Sequence, residues 1–112
     1  MTVKILALLL VATFCAPASA EFVSVSEFKA RGGINSVQNA AYLIGISHGI
    51  AVANGFAQNA GQPLYCPPDL LVLDGFLLWQ LVDDAVIEFP ELNSEGLANI
   101  AMAAVERGFP CP

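Results

Sequence analysis

Asp83, Asp84 and Glu88 are the one carboxylate cluster in this sequence, and Asp84 and Glu88 stand one helical turn apart. Paired carboxylates do acid–base work when their surroundings push their affinities for a proton apart. That chemistry also needs a base or a nucleophile close by, and His48, the single histidine, is distant in sequence. No serine sits in a nucleophile-elbow pattern and no phosphate-cradling G-x-x-x-x-G-K loop occurs. His48, Cys66 and Cys111 give too few ligands for a zinc site. These residues therefore predict a protein that is not an enzyme, with no metal and no cofactor. The acidic cluster reads as a solvated face or the rim of an interface.

Cysteine usage follows from the first twenty residues. Lys4 precedes an apolar run at residues 5–14, and Ala18-Ser19-Ala20 is an A-x-A cleavage signal, so residues 1–20 read as a secretory signal peptide. Cys15 follows Phe14 rather than a small residue, which favours cleavage before Glu21 over lipid attachment. The expected mature unit is a single domain, 21–112, in the periplasm. Cys66 and Cys111 are then an even pair in an oxidising compartment, and the sequence predicts a bridge between them. Closing a loop of that length stabilises by about 4 kcal/mol in the chain-entropy picture, against a total of about 5–10 kcal/mol for a small domain.

Without Lys4, three cations (Lys29, Arg31 and Arg107) face ten carboxylates, a net charge of −7. Such a surface repels nucleic acid and anionic lipid. The mature segment has no uninterrupted apolar run of about eighteen residues, so no membrane insertion is expected after cleavage.

The elements that carry these residues read as helices, and the expected fold is all-α, a small disulfide-tied bundle of about four. Ser26 is placed to cap a short helix at 27–30, broken by Gly32-Gly33. Residues 22–25 are the one ambiguous strand. A long helix follows at 34–59, capped by Asn35 or Ser36 and stopped by Gly61 and Pro63, with Asn54-Gly55 as a place where it could divide. Its apolar stripe is Val37, Ala41, Ile44, Ile50 and Ala57, widened by Tyr42, Leu43 and Ile46. Ala41, Gly45, Gly49, Ala53 and Ala57 recur every fourth position, a row that predicts close packing of another helix.

Asp69 stands where a cap belongs for a second long helix at 70–88. One face carries Val72, Trp79, Val82, Ala85 and Val86. The opposite face carries Leu73, Phe76, Leu77 and Ile87 among Gln80, Asp83, Asp84 and Glu88. A helix apolar on both faces is expected to be covered on both, so this second set is the candidate partner or dimer interface. Pro90 ends the helix. Asn93 or Ser94 then caps a last helix at 95–107, with Glu95 and Arg107 complementing its dipole, Leu97, Ile100, Ala101, Ala104 and Val105 as its buried stripe, and Gly108 just beyond.

Several landmarks occur in a telling order: Tyr42-x-x-Gly45, Tyr65-Cys66-x-Pro68, Leu78-x-x-Leu81-Val82 leading to Phe89-Pro90, then an alanine-rich helix closing on Phe109-Pro110-Cys111. The stretch from Ala40 to Cys111 resembles the Rap/Tai-type immunity proteins, small exported helical proteins that protect bacteria against amidase toxins delivered by type VI secretion. Members of that family usually carry two further cysteines, and this chain has none around Ala30 and Asn39. Their joint absence implies that they pair with each other, which leaves Cys66–Cys111 as the family's second bridge. Phe89 stands where a histidine is common, and the interval from Cys66 to Pro90 is slightly longer. The resemblance implies a protein that binds a peptidoglycan amidase, commonly as a homodimer, and obstructs its active-site cleft. The alternative is a general periplasmic helical binding or chaperone-like protein that uses the second apolar face for clients.

Overall fold

The computed structural model describes residues 23–112; the expected signal peptide at 1–20, Cys15 and Phe22 lie outside them. The fold is all-α, with four α-helices and one disulfide among the described residues. Helix α1 is Val25–Ala30, α2 is Val37–Asn59, α3 is Gly75–Glu88 and α4 is Leu97–Gly108. Short 3₁₀ turns at Gly33–Asn35 and Pro90–Ser94 join the first two and the last two.

Helix α1 starts two residues before the expected position because Ser24, not Ser26, caps it. The Ser24 hydroxyl accepts from the Glu27 amide while the Glu27 carboxylate accepts from the Ser24 amide, a complete capping box. The earlier start carries Val25 and Phe28 fully into the core. In place of a strand at 22–25, a single antiparallel bridge links Ser24 to Gly96. The Val25 amide donates to Glu95 O (3.1 Å) and the Leu97 amide to Val23 O (2.8 Å). That second bond satisfies a first-turn donor of α4, so α4 begins on Gly96 without a side-chain cap and not on Asn93 or Ser94. Its bounds shift from 95–107 to Leu97–Gly108, which puts Gly108 in the helix and Glu95 outside it.

Helix α2 begins at Val37 on the Ser36 cap, because Ile34 belongs to the preceding turn. It does not divide at Asn54-Gly55. Asn54 faces inward, where its side-chain carbonyl accepts from the amides of Leu64 (2.8 Å) and Tyr65 (3.1 Å) and its amide donates to Tyr65 O (3.1 Å). One buried side chain thus replaces the sheet or helix partners that this stretch lacks. Asn39 does the same near the other end of the helix, donating to Phe28 O (3.0 Å) and Gly33 O (2.9 Å). The C-terminus closes on Gly61 at φ +85°, with the Gln62 amide on Ala57 O and the Gly61 amide on Gln58 O, a Schellman ending that only a residue tolerant of positive φ completes easily.

The largest correction concerns α3. Residues 70–74 are not helical: Leu70 lies at φ +67°, and Asp74 rather than Asp69 is the cap, accepting from the Leu77 amide at 2.8 Å. The later start brings Gly75 against α2, where a Cβ would lie 3.3 Å from Leu43 Cβ and 3.4 Å from the Ile44 amide nitrogen. This is one close helix approach; Gly108 of α4 makes another, where a Cβ would lie 3.0 Å from Leu81 Cδ2 on α3. The expected row on α2 provides neither, since the Cβ positions of Gly45 and Gly49 meet nothing within 4 Å. Val72, expected in the core, is 76 % exposed on the irregular segment.

The core sits between α1, the inner faces of α2 and α3, and α4. Phe28, Leu43, Leu78, Val82, Leu97 and Val105 are fully enclosed, with Ile50, Tyr65, Val86, Ile100, Ala101 and Ala104 around them. Trp79 is half-buried at the edge, its ring 4.7 Å from that of Phe28. Cys66 and Cys111 form the bridge, their Cα atoms 4.8 Å apart, and the Cys66 amide donates to Phe109 O at 2.8 Å beside it.

Candidate functional site: the outward face of α3

With Gly75, Leu78, Val82 and Val86 turned inward, helical geometry sends Phe76, Gln80, Asp83 and Ile87 to the opposite side. The apolar ends of that row are open: Phe76 is 59 % exposed and Ile87 71 %. Gln80, Asp84 and Glu88 are also exposed, and Asp83 is half-buried. Leu77 is half-buried at the margin. Leu73 belongs elsewhere: it precedes the helix and packs against the core from the irregular segment. The structure therefore divides the eight predicted interface residues into a row on α3, two flanking carboxylates, one marginal leucine and one residue that supports the core.

The carboxylates do not converge on a common point. Lys29 Nζ stands 3.6 Å from Asp83 Oδ1, 3.4 Å from Asn93 Oδ1 and 6.0 Å from the centre of the Trp79 ring. Glu88 pairs instead with Arg107 at 2.6 Å, and that guanidinium also lies 5.2 Å from the Phe89 ring. Each pair is exposed enough that solvent screens it to a marginal contribution. Their effect is geometric, for they hold Asp83 within the row and Glu88 beside it at defined places. Among the described residues no group of three His, Cys, Asp or Glu is arranged to hold a metal ion. His48 lies on the exposed side of α2, far from the acidic cluster in sequence and beside Tyr65 and Leu71 at a hollow of about 350 Å³.

A second apolar surface was not assigned to any role from sequence. Residues 64–76 run back along α2: Asn54 holds Leu64 and Tyr65, His48 and Ala51 line one hollow with Leu71 and Val72, and Ile44 lines another with Gly75 and Phe76. Leu70, Leu71 and Val72 are exposed along this path. A hollow of about 380 Å³ between Ile34, Ile44 and Phe76 joins it to the α3 row. The signal for this arrangement was Asn54, an amide on the inward face of α2 between Ile50 and the end of the helix. A buried amide needs partners, and only a neighbouring irregular strand has backbone groups to spare.

Burial raises the Tyr65 phenol above its ordinary value. The chain matches no protein-family model, no curated protein and no solved structure.

Proposed function

We propose that this chain is a periplasmic immunity protein that binds a type VI secretion cell-wall amidase and occludes its active-site cleft. The observation that carries the reading is the outward row on α3. Phe76 and Ile87 form two exposed apolar anchors, with Gln80 and Asp83 between them and Asp84 and Glu88 beside them. Apolar anchors inside a polar, charged rim are the usual anatomy of a protein-binding surface. The negative charge of the chain favours a partner whose cleft rim is basic and speeds the encounter. Blocking requires no chemistry from the inhibitor, in keeping with a carboxylate cluster that has no nucleophile or base beside it. The likeness of the Tyr-x-x-Gly, Tyr-Cys-x-Pro and Phe-Pro-Cys landmarks to Rap/Tai-type proteins supplies the partner's class.

The test is reconstitution with an amidase encoded next to this chain. A stoichiometric complex that abolishes peptidoglycan cleavage, lost on Ile87→Asp, is the expected result. Absence of any neighbouring toxin, together with failure to protect cells from secreted amidases, would remove the proposal's support. Broad suppression of aggregation without one stoichiometric partner would replace it with a chaperone-like reading.

A further inference from the structure

The hollow beside His48 contains a hydroxyl that the fold leaves without a partner. Tyr65 is only 4 % exposed, and Asn54 takes up its backbone amide and carbonyl. Its phenol makes no hydrogen bond among the described residues, and burial is the whole cause of its raised pKa. No fully buried polar side-chain atom among those residues lacks a partner, so this hydroxyl reaches an opening and does not end inside the core. The Tyr65 ring packs in the core with Leu73 and Phe109, and all three line the hollow of about 350 Å³. A neighbouring hollow also touches Tyr65, but on the side of Asn54 and Gln58, where its backbone lies. The hydroxyl is therefore aimed into the first.

Asp74 supplies a second polar group to the same space. Its Oδ1 caps α3 by accepting from the Leu77 amide, and its Oδ2 has no partner among the described residues. The two ion pairs found there use Asp83 and Glu88 instead. His48 offers a ring nitrogen at the mouth, and Leu71, Leu73 and Phe109 give apolar walls. An apolar cavity with a few convergent polar groups is the usual make-up of a small-ligand site, and this volume lies near the lower end of about 300–1,000 Å³. Asp74 is the one carboxylate in the lining, in a chain of strongly negative net charge, so a cation is drawn in and an anion repelled. The Phe109 ring suits a flat body.

From these observations the structure assigns to this hollow a binding site for a small aromatic amine that carries a second hydrogen-bonding group. The ammonium pairs with the free oxygen of Asp74, the ring lies against Leu71, Leu73 and Phe109, and the second group meets the Tyr65 hydroxyl. The site is separate from the α3 row and does not depend on the proposed amidase.

Tyramine is the probe, read by backbone amide chemical shifts of the oxidised protein. Saturable shifts at Tyr65, Leu73, Asp74 and Phe109 are expected, with a Kd of about a millimolar or tighter, the range open to so small a ligand. Tyrosol has a hydroxyl in place of the amine, and phenethylamine lacks the phenol. Each should bind about three- to tenfold more weakly, the usual worth of one polar contact. Asp74→Asn keeps a side chain able to cap α3. It should abolish the advantage of tyramine over tyrosol and leave its advantage over phenethylamine. Tyr65→Phe keeps the ring and should do the reverse. Both variants should melt close to wild type, which separates a lost contact from a lost fold. Absence of saturation well above the millimolar range overturns the inference. So do ligand preferences that survive both substitutions, or shifts confined to residues outside the hollow.

Discussion

Helices α2 and α3 each bury one face against the same core and leave the other outside, yet the two outer faces differ in kind. That of α3 sets Phe76 and Ile87 among carboxylates, two of which are held by Lys29 and Arg107. That of α2 carries no formal charge and alternates hollows with bulk. The burial pattern explains why both can exist in one small domain. Neither helix needs its outer face for the core, so each is free to take a composition set by a partner. A charged rim suits a different molecule, whose complementary charges can meet it. The outer face of α2 has no charges to offer such a complement.

The comparison holds only if the frame presenting both faces is rigid, and the most damaging substitution should be Cys111→Ser. The bridge closes residues 45 apart, and its loss should cost about 4 kcal/mol in oxidised protein. Melting curves with and without reductant read this: reductant should lower the wild type to the variant's level, and a difference that survives reduction would contradict it. Asn54→Ala comes next. It strips the Leu64 and Tyr65 amides and the Tyr65 carbonyl of their partner, at a cost of about 3 kcal/mol by chemical denaturation.

A crossed pair of surface variants separates the two faces. If the α3 row is the proposed binding surface, Ile87→Asp should abolish amidase binding and Val52→Asp should leave it intact. Both should stay within about 0.5 kcal/mol of wild-type stability, as exposed substitutions do. Equal loss of binding in both variants would erase the distinction between the faces.

The smallest effect is at Tyr65. Burial raises its folded pKa, so the unfolded chain releases that proton first as the pH climbs past about 10. Stability is therefore unaffected by this group at neutral pH and falls as the pH approaches the folded value. Tyr65→Phe should leave the melt at pH 7 nearly unchanged and flatten that alkaline decline.

What could be read from sequence followed local rules. The stripe of α4 was legible because Leu97, Ile100, Ala101, Ala104 and Val105 fall on one narrow helical arc, and all five are buried. The bridge between Cys66 and Cys111 was legible because they are the pair that remains once residues 1–20 are read as a leader. The start of α3 was not legible: Asp69 and Asp74 both precede apolar runs, and the choice depends on Gly75 finding α2, a contact between distant segments. The small residues of α2 predicted a close approach of another helix, but among the described residues nothing lies within 4 Å of a Cβ on Gly45 or Gly49. Periodicity tells which residues share an arc, not which arc meets the core. For the α3 row, the opposite-face pattern placed Phe76, Gln80, Asp83 and Ile87 together. It misplaced Leu73, since the arc was extended through residues that are not helical.

The single bridge between Ser24 and Gly96 has a kinetic consequence. It joins the Val25 amide to Glu95 O across seventy residues, and without the Leu97–Val23 bond α4 would start with an unsatisfied donor. A four-helix chain with only neighbouring contacts would rank among fast folders. Here the first helix must also find the entrance to the last, a long-range step added to contacts that are otherwise mostly local. The rate of folding should thus be limited by that encounter and not by the formation of any one helix.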